Sequence, residues 1–399
     1  MSKSSVKFQA VKVNGITTIF SALLIIEIFN GFRIHPLYIG AGLALMALSV
    51  ISLYALKSDA EERVLFRIIL FWAIYHIVIA IIGFSSRTAY ICFQHIGILL
   101  FFVFVLECNR FGIIGEQIKT LYKIIHFAVL IVLLGVVLFR PVEKTSFESY
   151  IYIGLATFPF AINKWKWCRG PRLIVLCIAW VYVAYQIGAR SQAVGFLLFI
   201  VVAALLLMFR NKGKKFIKNF FWVYYGLLNL FPMIYSYLSQ SQYRTLIDGF
   251  AVKYTTARFF SGRDELWSDV YNQINSVLSA LFGLGFGETE NITVRWNMSL
   301  HSLYVTVLSE GGIFLVVILG LILYQIWKRL SQNTSYQSKI LLAFMVVFLY
   351  KQSFDISLIE NNLGVAFGVW TALGLGYIDA KHTETDEEYN FFTGKREAS

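Results

Sequence analysis

His301 closes a polar stretch, residues 240 to 300, rich in glycine and arginine, and opens a long apolar run. The positive end of a helix starting there disfavours the imidazolium, so the ring is expected to stay neutral and able to accept a proton. That is the requirement for a general base. Two arginines can serve an anionic group beside it. Arg190 lies in GARS at 188–191, a minimal connection between two apolar spans, and Arg263 lies in SGRDELW at 261–267. Arginine offers a planar fork that clamps phosphate with two hydrogen bonds and does not deprotonate. Around Arg263 the spacing predicts a helix start, with Ser261 as cap and Asp264 in the capping-box position. Backbone N–H groups and guanidinium would then address the same anion. Arg258, Arg244 and Arg295 are secondary candidates for phosphate or acidic-sugar contacts. Trp296, with Tyr243 and Tyr254, is of a type that stacks on sugars, although such rings also form membrane-interface belts.

The elements that must position these residues follow from spacing. Leu266, Trp267, Val270, Tyr271, Ile274, Val277, Leu278 and Leu281 repeat at three and four. They predict one amphipathic helix along the membrane surface, stopping near Gly283. GLGFGE at 283–288 lacks the strand and helix of a dinucleotide fingerprint and indicates a tight turn or a close backbone approach. Asn297 and Ser299 are expected to cap the helix after His301. Glu310, about 13 Å further along that helix, needs an intramembrane partner. Lys351 is the candidate, and Lys351 has Asp355 as an alternative. The pair is read as structural. His76, His95 and His126 lie within apolar runs and are read as packed or hydrogen-bonded side chains.

Composition sets the class. Hydrophobic residues are 58% of the 399, charged residues 15%, and mean hydropathy is +0.66. A bilayer accommodates such a chain as helices of about 20 apolar residues. The fold class expected is an all-α polytopic membrane protein with about twelve transmembrane helices and one long periplasmic loop containing amphipathic helices. The spans fall near 15–32, 37–55, 64–84, 89–106, 121–139, 148–162, 173–188, 191–209, 219–239, 301–327, 338–353 and 362–378. No small-residue cleavage site follows the first span, which reads as a retained anchor. The chain divides into nine spans over 1–239, the loop 240–300, three spans over 301–378 and a polar tail, 379–399, expected to be disordered.

With both termini cytoplasmic, 24 of the 35 Lys and Arg fall inside and 11 outside. This is the positive-inside bias, and it places the loop outside. The +12 charge is thus no nucleic-acid footprint, and RNKGKK at 210–215 reads as an anchor to anionic membrane lipids. The outside set holds eight Arg to three Lys, the inside set eight to sixteen, which favours an anionic ligand outside. Of Cys92, Cys108, Cys168 and Cys177, none lies in the loop, so no disulfide framework forms there. No Cys–His spacing and no Asp-x-Asp pair is present, so neither a metal nor a cofactor is expected.

In order and spacing these pieces resemble the bacterial O-antigen polymerase and O-antigen ligase superfamily, over residues 180 to 315. GARS is similar to its short outer Arg motif, SGRDELW to its (S/T)GR…W segment, and GLGFGE to its Gly-rich turn. HSLYVTVLSEGG at 301–312 is similar to its His-Asn/Ser signature closed by Gly312, with Ser302 in place of Asn and Leu315 where a second glycine is common. The resemblance implies a metal-independent, inverting glycosyltransferase of the inner membrane that acts on a glycan carried by undecaprenyl diphosphate. Arg190 and Arg263 would hold the diphosphate, and His301 would take the acceptor proton. It implies membrane lipids and a chain-length regulator as partners. Polymerase is favoured over ligase, which uses the same donor but delivers it to lipid A–core. A lipid-linked oligosaccharide transporter is the reading from another class, and the absence of two similar halves speaks against it.

Overall fold

The computed structural model describes residues 60–83, 85–110, 115–139, 148–162, 171–187, 190–209, 213–255, 259–260, 262–359, 363–382, 388–389 and 396–397. The first group of helices is α1 (Ala60–Ile82), α2 (Ser86–Arg110), α3 (Gly115–Phe139), α4 (Glu148–Ile162), α5 (Pro171–Ile187), α6 (Arg190–Met208) and α7 (Lys214–Gln240). Four short helices follow in the polar stretch: α8 (Arg244–Thr255), α9 (Arg263–Gln273), α10 (Val277–Phe282) and α11 (Phe286–Trp296). The chain then returns through α12 (Leu303–Gln332), α13 (Tyr336–Lys351) and α14 (Leu363–His382). Every expected span from 64 onward falls on one of these helices, whereas 15–32 and 37–55 lie outside the described residues.

Among the described residues five stretches are long and apolar enough to cross a membrane: Glu62–Ile82, Arg87–Leu106, Lys119–Phe139, Ser191–Met208 and Leu303–Gln332. They suggest a membrane protein, because a helix satisfies all its backbone groups internally where no water can. The tail, expected to lack structure, contains a two-residue antiparallel pairing of Glu388–Tyr389 with Arg396–Glu397.

In the bundle α13 packs on α6, α14 on α2 and α4, and α12 on both α1 and α7. The interior histidines are buried and hydrogen-bonded, as their apolar settings predict. His126 accepts the buried Trp180 indole N–H at 3.0 Å and contacts the Gly154 carbonyl at 3.1 Å. His76 bridges the Trp72 carbonyl (2.9 Å) and His95 (3.2 Å).

The long helix α12 is interrupted at Gly312, whose φ of 65° only glycine adopts without strain. An interrupted helix frees carbonyls that need other donors. The Leu284 amide takes the Ser309 carbonyl at 2.6 Å, and the Tyr75 hydroxyl takes the Gly311 carbonyl at 2.9 Å. The turn carrying Leu284 therefore sits against the break. A Cβ on Gly283 would lie 2.6 Å from the Gly311 nitrogen, and one on Gly312 would collide with the Leu281 carbonyl. The close backbone approach expected of GLGFGE is this contact.

The single amphipathic helix expected over 261–281 is instead two. After Gln273 the chain turns, and Ser276 starts α10 with a reciprocal cap: its hydroxyl accepts the Ser279 amide (3.0 Å) while Ser279 accepts the Ser276 amide (3.1 Å). Such local hydrogen bonds compete with helix continuation. The two pieces also differ in burial. Leu266, Trp267 and Val270 of α9 are buried with Tyr235, Phe260, Leu300 and Val305, whereas Val277 and Leu278 of α10 are exposed. The expected capping box at 261–264 is replaced too: Gly262, at φ 81°, is the N-cap and makes no side-chain bond, and Ser261 lies outside the described residues.

Gly283→Ala is expected to cost more than about 2 kcal/mol, from its left-handed φ and the backbone collision together. Gly287, inside α11 with open space around its Cα, is expected to tolerate alanine with a slight gain. Thermal midpoints of the two variants in detergent check this, and equal midpoints would contradict it.

Candidate functional site

The chain enters α12 through His301, held in the left-handed region at φ 49°. Ser302 is the N-cap, its hydroxyl accepting the Val305 amide at 3.5 Å. Asn297, also left-handed at φ 48°, ends α11 instead. Neither Asn297 nor Ser299 therefore caps α12, because the six residues between α11 and α12 are used to reverse the chain.

Three segments close around His301. The Leu303 amide is shared by the carbonyls of Gln352 and Asp355, both at 2.9 Å, which sets the entry of α12 on the corner after α13. The buried Trp267 indole donates to the Leu300 carbonyl at 2.6 Å, which ties α9 to the residue before His301. Arg263, the first residue of α9, donates from Nη1 to the Phe354 carbonyl at 3.2 Å. Asp355 is held in turn, its carboxylate accepting its neighbour's amide, Ile356, at 2.8 Å. Arg263, His301 and Asp355 thus share one corner, two of them joined by backbone contacts to the segment that carries the third.

Half-burial lowers the His301 pKa below the ordinary value of about 6.5, the Arg263 charge lowers it further, and the Asp355 charge opposes both. The ring is neutral at pH 7, as expected, but the first cause is burial and the second Arg263. A neutral imidazole within the field of a fixed cation and a carboxylate can remove a proton, and the carboxylate stabilises the imidazolium that results. The guanidinium supplies charge for an anionic group at the same place.

Arg190 is the first residue of α6, and its side chain lies outside the described residues. Its neighbour Ser191 accepts the Lys351 ammonium at 2.7 Å, four residues before Asp355, so the start of α6 abuts the same corner. That contact replaces the expected pairing of Lys351 with Glu310. Glu310 instead stands 3.7 Å from Nδ1 of the buried His95.

The secondary candidates have partners within the polar stretch. Arg244 stands 3.5 Å from the buried Asp264 and over the Phe260 ring. Arg295 (3.3 Å) and the Trp296 indole (2.8 Å) both hold Asp269. Burial pushes the Asp269 carboxyl up, but hydrogen bonds from Trp296 and Gln273 and the Arg295 charge outweigh it, leaving it below the usual range. Arg258 lies outside the described residues. Among the described residues no three His, Cys, Asp or Glu side chains gather as a metal site would require.

No family model, curated protein or solved structure matches the chain.

Asp355 was not singled out as a site residue by sequence. The available signal was a lysine and an aspartate four apart at the end of an apolar span, charges that a bilayer does not retain without use.

Because His301 titrates below its ordinary value, its modification by diethylpyrocarbonate, which requires the neutral ring, is expected to persist below pH 6.5. Arg263→Gln should move the midpoint up and Asp355→Asn should move it down, as read by mass spectrometry of the His301 peptide. Shifts in the opposite directions would refute the electrostatic assignment.

Proposed function

We propose that this chain is a membrane glycosyltransferase that polymerises a surface polysaccharide, moving a glycan from undecaprenyl diphosphate onto a lipid-linked repeat unit. The observation that carries the reading is the gathering of Arg263, His301 and Asp355 at one corner of an otherwise apolar helical bundle. Its order of motifs supports the same reading. In this account the chain has about twelve transmembrane helices with both termini cytoplasmic, lies in the inner membrane, and presents the corner to the periplasm. The site residues are Arg190, Arg263 and His301, with Asp355 as a positioning residue for the imidazole.

The reaction needs two things from the protein. His301 Nδ1 or Nε2 accepts the proton of the acceptor hydroxyl as that oxygen attacks the anomeric carbon. The anomeric carbon–oxygen bond breaks on the opposite face, with inversion, and the electron pair leaves on the lipid diphosphate. Arg263, with Arg190 at the start of α6, stabilises the charge that develops there. Asp355 stabilises the imidazolium until the proton passes to solvent. A diphosphate is already a good leaving group, so the proposal requires neither a metal nor a nucleotide.

The test is the lipopolysaccharide ladder of a strain lacking the gene, complemented with wild type or His301→Ala. A single repeat on the core without the gene, and no rescue by His301→Ala, is the expected result. A core bearing no repeat would instead identify a ligase. A full ladder with His301→Ala would refute the general-base role and favour a transporter.

A further inference from the structure

At the end of the bundle away from the corner, α6 packs on α13 and α7 packs on α12. A cavity of about 580 Å³ lies between α6 and α7. Its wall includes Leu198 and Leu205 of α6, Phe209 just beyond it, Phe216 and Phe220 of α7, and Trp327 of α12. Trp327 is separated from Leu303, the first residue of α12, by roughly 36 Å of helix. The space is therefore remote from His301.

The wall suits an apolar occupant. Of the lining side chains only Tyr224 and Trp327 carry polar atoms, and the protein uses both. The Tyr224 hydroxyl donates to the Val346 carbonyl at 2.7 Å, and the Trp327 indole donates to the Ile217 carbonyl at 2.9 Å. Apolar cavities stay dry and take apolar ligands, and this volume is in the range of small-molecule sites. Phe209 and Phe216 are more than half exposed, so the cavity opens sideways, which in a membrane is toward lipid. Its α6 wall, from Leu198 to Phe209, is roughly 16 Å long, which matches one leaflet of a hydrocarbon core about 30 Å thick.

One end of the cavity is marked by charge. Gly213 and Phe216 both line it, and Lys214 and Lys215 stand exposed between them, with Lys218 half-buried one turn on. Among the described residues no carboxylate forms an ion pair with any of these three lysines. Lysine is a compact point charge, and at a membrane surface it attracts anionic lipid head groups.

We infer that this groove binds an anionic phospholipid, with one acyl chain along α6 and the phosphate against Lys214 and Lys215. Such a lipid supplies both parts in the right order: an apolar chain one leaflet long and a negative head at its end. Seated there, it braces α6 against α7, and α6 begins at Arg190 and holds Lys351 through Ser191. With the His301 corner facing the periplasm, as proposed, the groove opens in the cytoplasmic leaflet, which carries the anionic lipids. The inference goes beyond the proposed transferase activity, and its test does not use that activity.

The test places the full-length chain in phosphatidylcholine nanodiscs that contain phosphatidylglycerol with a diazirine at the end of one acyl chain. Photolysis and peptide mass spectrometry are expected to find the label on α6 near Leu198 and Val202. The same diazirine on phosphatidylcholine, at equal mole fraction, should label that segment about fivefold less. Lys214→Gln with Lys215→Gln alters only exposed side chains, so the thermal midpoint should match that of the wild type. The phosphatidylglycerol needed for half-maximal labelling should rise about tenfold or more. Equal labelling by the two lipids, or no effect of the lysine substitutions, would overturn the site and leave ordinary lipid contact. Displacement of the label by undecaprenyl phosphate at a lower mole fraction than by unlabelled phosphatidylglycerol would give the groove to the donor's chain, and would overturn the inference equally.

Discussion

The backbone contact between Gly283 and the Gly311–Gly312 step of α12 is the constraint through which the polar stretch is fixed to the bundle. A non-helical residue inside a long apolar helix frees carbonyls that lipid cannot satisfy. Here the Leu284 amide and the Tyr75 hydroxyl satisfy two of them, and both donors come from outside α12. The break and the docked turn therefore depend on each other. Once the turn is seated, α11 is carried across α2, with Phe286 against His76 and His95 and with Thr289 bonded to Ser309 at 2.7 Å. The chain then has only the residues after Asn297 in which to reverse into α12. His301 takes a left-handed backbone in that reversal, a conformation that a side chain larger than glycine adopts at some cost.

The second layer of organisation is electrostatic. Arg263 and Asp355 act on the same imidazole in opposite directions, and both are held by neighbouring backbone. The cation and burial keep the ring neutral at rest. The carboxylate limits that depression, so the ring can still take up a proton. A base that must both stay free and accept a charge needs such opposed neighbours. Under the proposed transferase activity the cation has a second use, since an anionic leaving group would sit where the guanidinium already is.

Much of this was legible in the sequence, for identifiable reasons. The helices were legible because apolar runs of membrane length have few alternatives. His301 and Arg263 stood out as candidates, because a histidine and arginines are conspicuous where an apolar chain turns polar. What sequence did not give was partner choice. Glu310 had one cationic candidate, Lys351, in its own half of the chain, and the structure puts it beside His95, more than two hundred residues earlier in the sequence. Asp355 comes to His301 only through the reversal at 297–302, which no spacing rule encodes. The division of 261–281 at Ser276 was missed because apolar periodicity continued across it, while a two-serine cap overrode that pattern. The start of α9 was misplaced by one residue for a similar reason: a left-handed Gly262 took the position a serine was expected to fill.

Whether Arg263 and His301 work as one unit is best read from a double-mutant cycle on glycan transfer by the purified full-length protein, using Arg263→Lys, His301→Gln and the pair. Residues that act together in one step lose nearly all their effect with the first substitution. The double variant is therefore expected to turn over within about threefold of the slower single variant. Losses that multiply would mean that the two side chains act independently, and that the corner they share is structural.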